Sequence, residues 1–295
     1  MESRKKPRVM EISENDLWIL SYYRESELAG ALIMGRLARE TDDDDLRVHL
    51  TEHCAEEANH AWLWTKAILE VGGTPRRVSE TYQSRYYTEI GQPATELEVL
   101  ALTQVFEKRV LSHFQDHLRW PNTHPAVVRT LERMIAEEAG HIGWVKLRLD
   151  RYGREKGEAV VAETLRRFAE VDRKVYTGLI EYRERFRELV DRGRAAAIAE
   201  GNAPPPPDPG SGLSRSQVEA RVKRIMARSM NIAEERLDPS ASLNSLGIDS
   251  LDLVIAVSAI EEGFRIELSP TDTENLYTLD DLVGKVTELT AAASP

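Results

Sequence analysis

Cysteine is nearly absent: the chain of 295 residues has one, Cys54. An internal disulfide is thereby excluded, which suits the reducing cytoplasm. A small buried apolar residue is the plain reading of Cys54. Long apolar runs are missing too. The longest, such as Leu253 to Val257, fall far short of the ~20 residues of a membrane helix, which excludes a span of that kind. Positive charge is in short supply, with 39 Lys and Arg against 50 Asp and Glu, a net of −11. No basic face is left over to neutralise phosphates, so nucleic acid is excluded as the main partner. The N-terminus, Met1 to Met10, is basic but runs into no apolar stretch and does not read as a secretory signal. What remains is a soluble acidic chain with room for about two domains.

Proline is sparse as well, but four of the 13 stand together at Pro204 to Pro207. Four prolines cannot sit inside a helix, and Gly201-Asn202-Ala203 and Asp208-Pro209-Gly210-Ser211-Gly212 flank them. Residues 195–213 therefore read as a linker between a domain at 1–194 and a smaller one at 214–295. The smaller one holds 8 basic and 14 acidic side chains, the denser negative charge of the two.

Upstream of the linker the hydrophobic pattern is helical throughout. It predicts helices at about Glu14–Glu40, Asp43–Val71, Ala94–Arg119 and Pro125–Tyr152. Asp42 to Asp45 give the second an acidic start, Gly72, Gly73 and Pro75 end it, and Pro125 suits a first helical position. The long gap from Gly72 to Pro93 suits a crossover between bundle helices. One further helix, about Gly157–Val190, carries a stripe including Val161, Leu165, Phe168, Val175, Tyr182 and Phe186. That stripe must pack on something: its own bundle, the small domain, or a second subunit in a homodimer.

Two segments repeat each other: Ala55-Glu56-Glu57-Ala58-Asn59-His60 and Ala136-Glu137-Glu138-Ala139-Gly140-His141. Glu-x-x-His puts a carboxylate and an imidazole on one face of a helix. Glu57 and Glu138 lie 81 positions apart, and a lone glutamate, Glu27 or Glu107, precedes each by 30 or 31. Four such helices in a bundle would gather four carboxylates and two imidazoles at its centre. Bare carboxylates there would each cost several kcal/mol to desolvate. Two cations of charge +2 would balance four of charge −1, and the oxygen-rich set with imidazole suits iron or manganese better than zinc. Glu25 competes with Glu27, which has the uncharged face of Tyr23, Gly30, Ala31 and Met34. Glu56 and Glu137 either point away or support the histidines from outside. Tyr23, Trp64, Phe114 and Trp144 lie about a turn from these residues and read as core. His53 is either a supporting partner of Glu57 or a partly exposed hydrogen-bonded histidine. His49, His113, His117 and His124 suggest no function.

Over residues 15–155 this pattern resembles the ferritin-like di-iron carboxylate proteins, which include rubrerythrins and bacterial di-iron oxygenases. The resemblance implies an all-α, ferritin-like four-helix bundle with one additional helix. It implies Glu27, Glu57, His60, Glu107, Glu138 and His141 as ligands of two Fe (or Fe and Mn), with Glu57 and Glu138 bridging. The cysteine pairs of a full rubrerythrin are missing.

In the small domain Gly247-Ile248-Asp249-Ser250-Leu251-Asp252 resembles the attachment site of acyl and peptidyl carrier proteins, over about residues 214–290. The resemblance implies a small four-helix domain with 4'-phosphopantetheine on Ser250. A helix start favours such a phosphodiester through its free N–H groups and dipole. Asp249 reads as the cap, and Asp252, Glu261 and Glu262 as an acidic face for a basic partner. A third short segment is expected near Thr271 to Leu276.

Together the two halves suggest a non-haem di-iron oxidase or oxygenase. It would use O₂ and an electron donor to hydroxylate, desaturate or N-oxygenate an acyl or aminoacyl group tethered to its own carrier domain, in natural-product biosynthesis. The expected partners are a phosphopantetheinyl transferase and a loading enzyme or synthase. Two alternatives stay open: a ferroxidase or peroxidase recruited to a synthase, and a non-catalytic scaffold that presents the carrier.

Overall fold

The computed structural model describes residues 12–201, 213–230, 232–268, 272 and 276–292. Pro204 to Pro207, the basic N-terminal residues and most of the segment expected at Thr271 to Leu276 lie outside them. Among the described residues the fold is all-α, with a lone antiparallel bridge between Ser242 and Thr278.

Four long helices make the bundle: α1 (Glu14–Glu40), α2 (Asp44–Glu70), α4 (Glu96–Leu118) and α5 (Pro125–Lys156), with short α3 (Tyr82–Ile90) between the pairs. Polar caps start each of them. Ser13 accepts from the Asp16 N–H at 3.0 Å while Asp16 accepts from Ser13 in return; Asp43 accepts from the Leu46 N–H at 2.6 Å. Thr81 and Thr95 cap α3 and α4, and His124 caps α5 ahead of Pro125. Each cap satisfies N–H groups that the first turn leaves without partners. Gly72 ends α2 at φ +81°, a conformation glycine enters without a Cβ penalty.

The expected single helix at Gly157–Val190 is instead two, α6 (Glu158–Gly178) and α7 (Ile180–Ala199). The chain breaks at Leu179, which is buried, and the Gly178 carbonyl accepts from Arg85 at 2.8 Å. Both halves bury their stripes on the bundle. The linker starts later than residue 195, because Ala195, Ala196 and Ala197 extend α7 to Ala199; alanine is the best helix former. A buried pair, Arg109 Nε to Asp172 Oδ1 at 3.1 Å, ties α6 to α4, and Tyr82 of α3 donates to the same aspartate.

The C-terminal residues form α8 (Arg215–Ser229), α9 (Ser250–Phe264) and α10 (Leu279–Ala292). Val218, Val222, Met226, Ile260, Leu282 and Val286 build a core separate from that of the bundle. Helix α9 serves both cores, since Leu251 and Ile255 bury themselves among the bundle's apolar side chains.

Candidate metal centre and attachment site

Glu27 comes from α1, His53, Glu57 and His60 from α2, Glu107 from α4, and Glu138 and His141 from α5. All but His141 are buried. Their donor atoms fall into two groups: Glu27, Glu57, His60 and Glu138, and His53, Glu57, Glu107 and His141. Within each group the donors lie no more than 4.8 Å apart. Glu57 belongs to both. Glu138 also reaches across, with Oε1 3.1 Å from His60 Nδ1 and Oε2 3.0 Å from His141 Nδ1. Glu25 instead pairs with Arg24 at the surface. Gly30 makes room for the cluster, since a Cβ there would collide with Glu57 Oε2.

The outer glutamates cross over. Glu137 Oε2 lies 2.8 Å from His60 Nε2, and Glu56 Oε2 lies 2.7 Å from His141 Nε2. Each motif thus supports the imidazole of the other, leaving Nδ1 of both rings toward the cluster.

Electrostatics inside the cluster are severe. Burial, and then the charges of Glu27, Glu107 and Glu138, push the Glu57 carboxyl well above its usual range. Burial also disfavours charge on Glu107, but the charge of His53 and its hydrogen-bonded contacts with Glu138 and His141 outweigh it and hold that carboxyl low. His60 and His141 resist burial through their carboxylate neighbours and are pushed up to about 12. Glu27 Oε1, His53 Nε2, His60 Nδ1 and Glu138 Oε1 are buried and make no well-aligned hydrogen bond, although His53 and His60 have carboxylate oxygens within 3.1 Å. Orphaned lone pairs in one place, with four carboxylates and three imidazoles, fit two divalent cations.

His53 is the residue that sequence reasoning left undecided. Its Nε2 lies 2.9 Å from Glu107 Oε1 and 3.3 Å from Glu57 Oε1, which puts it inside the second group. The signal was its position one turn before Glu57. His113 and His117 hydrogen-bond to buried tyrosines, away from the cluster.

At the other site Gly247 takes φ +76°, and Asp249 caps α9 by accepting from the Leu251 and Asp252 N–H groups at 2.9 Å each. Ser250 is the first residue of α9, and its side chain lies outside those described. This end of α9 is held on α4. Lys108 Nζ lies 2.9 Å from Asp249 Oδ2 and 2.7 Å from Asp252 Oδ1, and Gln104 donates to Asp249 at 3.2 Å. Farther along, the Tyr176 hydroxyl donates to Glu262 at 2.6 Å, and Arg173 lies 3.6 Å from Glu261. The acidic face expected to meet a basic partner meets the bundle of its own chain.

Residues 220–286 match the family described as Phosphopantetheine attachment site. The acyl carrier protein of Buchnera aphidicola subsp. Schizaphis graminum is 43% identical over 65 residues, 22% of this chain and 82% of that protein. Through these residues the chain belongs to the acyl carrier protein family. Its carrier domain accounts for the glycine turn before Ser250 and the acidic start of α9. No solved structure matches the chain.

Proposed function

We propose that the bundle is an O₂-dependent non-haem di-iron oxidoreductase acting on an acyl or aminoacyl group carried on Ser250 of the same chain. Hydroxylation, desaturation and N-oxygenation are the reactions this class allows. The observation that carries the reading is the seat of the carrier domain: the residues flanking Ser250 dock on α4, the helix that also supplies Glu107. Lys108 and Glu107 are neighbours, about 100° apart around the helix.

Two cations bound there would supply the electrons and the site for O₂ reduction. Glu27, His53, Glu57, His60, Glu107, Glu138 and His141 would hold them, Glu57 being common to both donor groups. Glu56 and Glu137 orient the imidazoles. Lys108 and Gln104 hold the start of α9. A helix with its side chains is about 10–12 Å thick. A phosphopantetheine arm, comparable to about five extended residues, spans about 17 Å, so it can pass α4 without undocking.

The test is intact-mass analysis of the protein carrying a loaded arm, after reconstitution with iron and exposure to O₂ and a reductant. Gain of one oxygen or loss of two hydrogens on the arm is expected. An arm that stays unchanged across acyl and aminoacyl loads, in protein shown to hold two iron ions, would overturn the proposal.

A further inference from the structure

Between the bundle and the carrier domain lies a cleft of about 810 Å³ that neither the metal cluster nor Ser250 uses. Its walls come from both sides. Arg119, Arg187 and Arg194 belong to α7 and the end of α4; Arg221, Arg224 and Arg228 belong to α8. In a chain of net charge −11 this is a local excess of the scarce sign. The carboxylates that line the same space are Asp116, Asp191 and Glu262.

Those carboxylates are already engaged. Asp116 lies 3.1 Å from Arg119, Asp191 lies 3.8 Å from Arg194 and 3.2 Å from Arg265, and Glu262 accepts from Tyr176. Burial also pushes the carboxyls of Asp116 and Glu262 up, which weakens them as counter-charges. Arg221 donates to the Gly263 carbonyl, a neutral partner. Among the described residues Arg187, Arg224 and Arg228 have no ion pair. The guanidinium of Arg221 is pulled below its usual value by burial and then by Arg194, Arg224 and Arg119; that of Arg119 is lowered by burial and by Arg228 and Arg194, against Asp116. The two domains thus present like charge to each other here, although α9 is docked a few turns away.

The floor differs from the walls. Trp120 is nearly buried, with the Arg119 guanidinium 4.1 Å from its ring centroid, and Val190 and Ile225 complete an apolar patch. Guanidinium groups bind phosphate through paired donors, and the volume is within the roughly 300–1,000 Å³ range of small-molecule sites.

We infer that this interdomain cleft binds a phosphorylated organic anion of nucleotide size, its phosphates bridging arginines of α7 and α8. Bound there, the anion removes the repulsion between the domains and tightens the docked arrangement. The inference is independent of the metal reading and of Ser250.

The test is isothermal titration of the full chain with ADP, inorganic pyrophosphate and adenosine at about 0.05 M salt, where screening is weak. ADP is expected to bind more tightly than pyrophosphate, and adenosine not at all. Arg187→Gln and Arg228→Gln, both at exposed positions on opposite walls, are each expected to weaken ADP by at least about tenfold. Thermal melts check that both variants are folded. Absence of ADP binding to the wild type overturns the inference, as does wild-type affinity in either variant. Equal affinity for ADP and pyrophosphate overturns the organic part of it.

Discussion

Replacing Lys108 with methionine tests the docking of the carrier domain most directly. The side chain keeps most of its length, one atom short, and loses its charge. Burial disfavours the Lys108 ammonium, but Asp249 and Asp252 more than offset this and hold its pKa above the ordinary lysine value. Breaking a buried ion pair costs about 3–5 kcal/mol when the abandoned partner stays buried, and this half-buried one belongs at the low end or below. Here Asp249 and Asp252 can return to water by undocking, so the loss falls on the docking equilibrium and leaves folding alone. Opposing release, Leu251 and Ile255 are buried against the bundle at about 1.5–3 kcal/mol each. Taking about 3 kcal/mol as the loss, the undocked fraction rises by on the order of 10². Small-angle scattering should then show a larger radius of gyration. A phosphopantetheinyl transferase, which must engage the covered residues flanking Ser250, should modify the variant faster by up to the same factor. A folded variant that stays as compact as the wild type and is modified at its rate would refute the reasoning.

On the proposed di-iron reading, Gly30→Ala should lower bound iron from two to at most one per chain by elemental analysis, because the new methyl occupies the space of Glu57 Oε2. The metal-free chain should melt no lower, since alanine favours a helix interior by up to about 1 kcal/mol over glycine; two tightly held ions would contradict it. His117 is buried, and burial, with a small contribution from Arg192 against that of Asp16, lowers its pKa from 6.5 to about 4. Its folded value lies below its unfolded one, so its contribution is complete above pH 6.5. It is lost as pH falls toward 4, to the extent of about 3 kcal/mol. His117→Gln should flatten the fall in melting temperature between pH 7.5 and 5, and an unchanged slope would count against this account. Ser250→Ala should accept no phosphopantetheine by intact mass; an arm on the variant would move the attachment site elsewhere.

The convergence of Glu27, Glu57, His60, Glu107, Glu138 and His141 was legible because helical geometry turns a three-residue spacing into a shared face. The 81-residue repeat then brings two such faces together. The acidic run Asp42 to Asp45 and Pro125 marked helix starts for equally local reasons. The break at Leu179 was not legible: no proline marks it, and the partner of the Gly178 carbonyl, Arg85, lies 93 positions away. The alanines after Arg194 looked like the approach to a linker, yet their own propensity continues the helix. His53 had the right register, but one histidine beside one glutamate does not tell a cluster member from a supporting side chain. The docking of Asp249 and Asp252 on Lys108 joins residues some 141 positions apart. A charge pattern can advertise an acidic face, but it cannot say that the matching lysine is in the same chain.

The crossed contacts of Glu56 with His141 and of Glu137 with His60 bear on inheritance. Each half of the bundle holds the support for the other half's imidazole, so neither repeat can diverge on its own account. A change at Glu56 is felt by the motif 85 residues downstream. A fragment containing α1 and α2 alone would keep its Glu-x-x-His but leave His60 without the carboxylate that orients it.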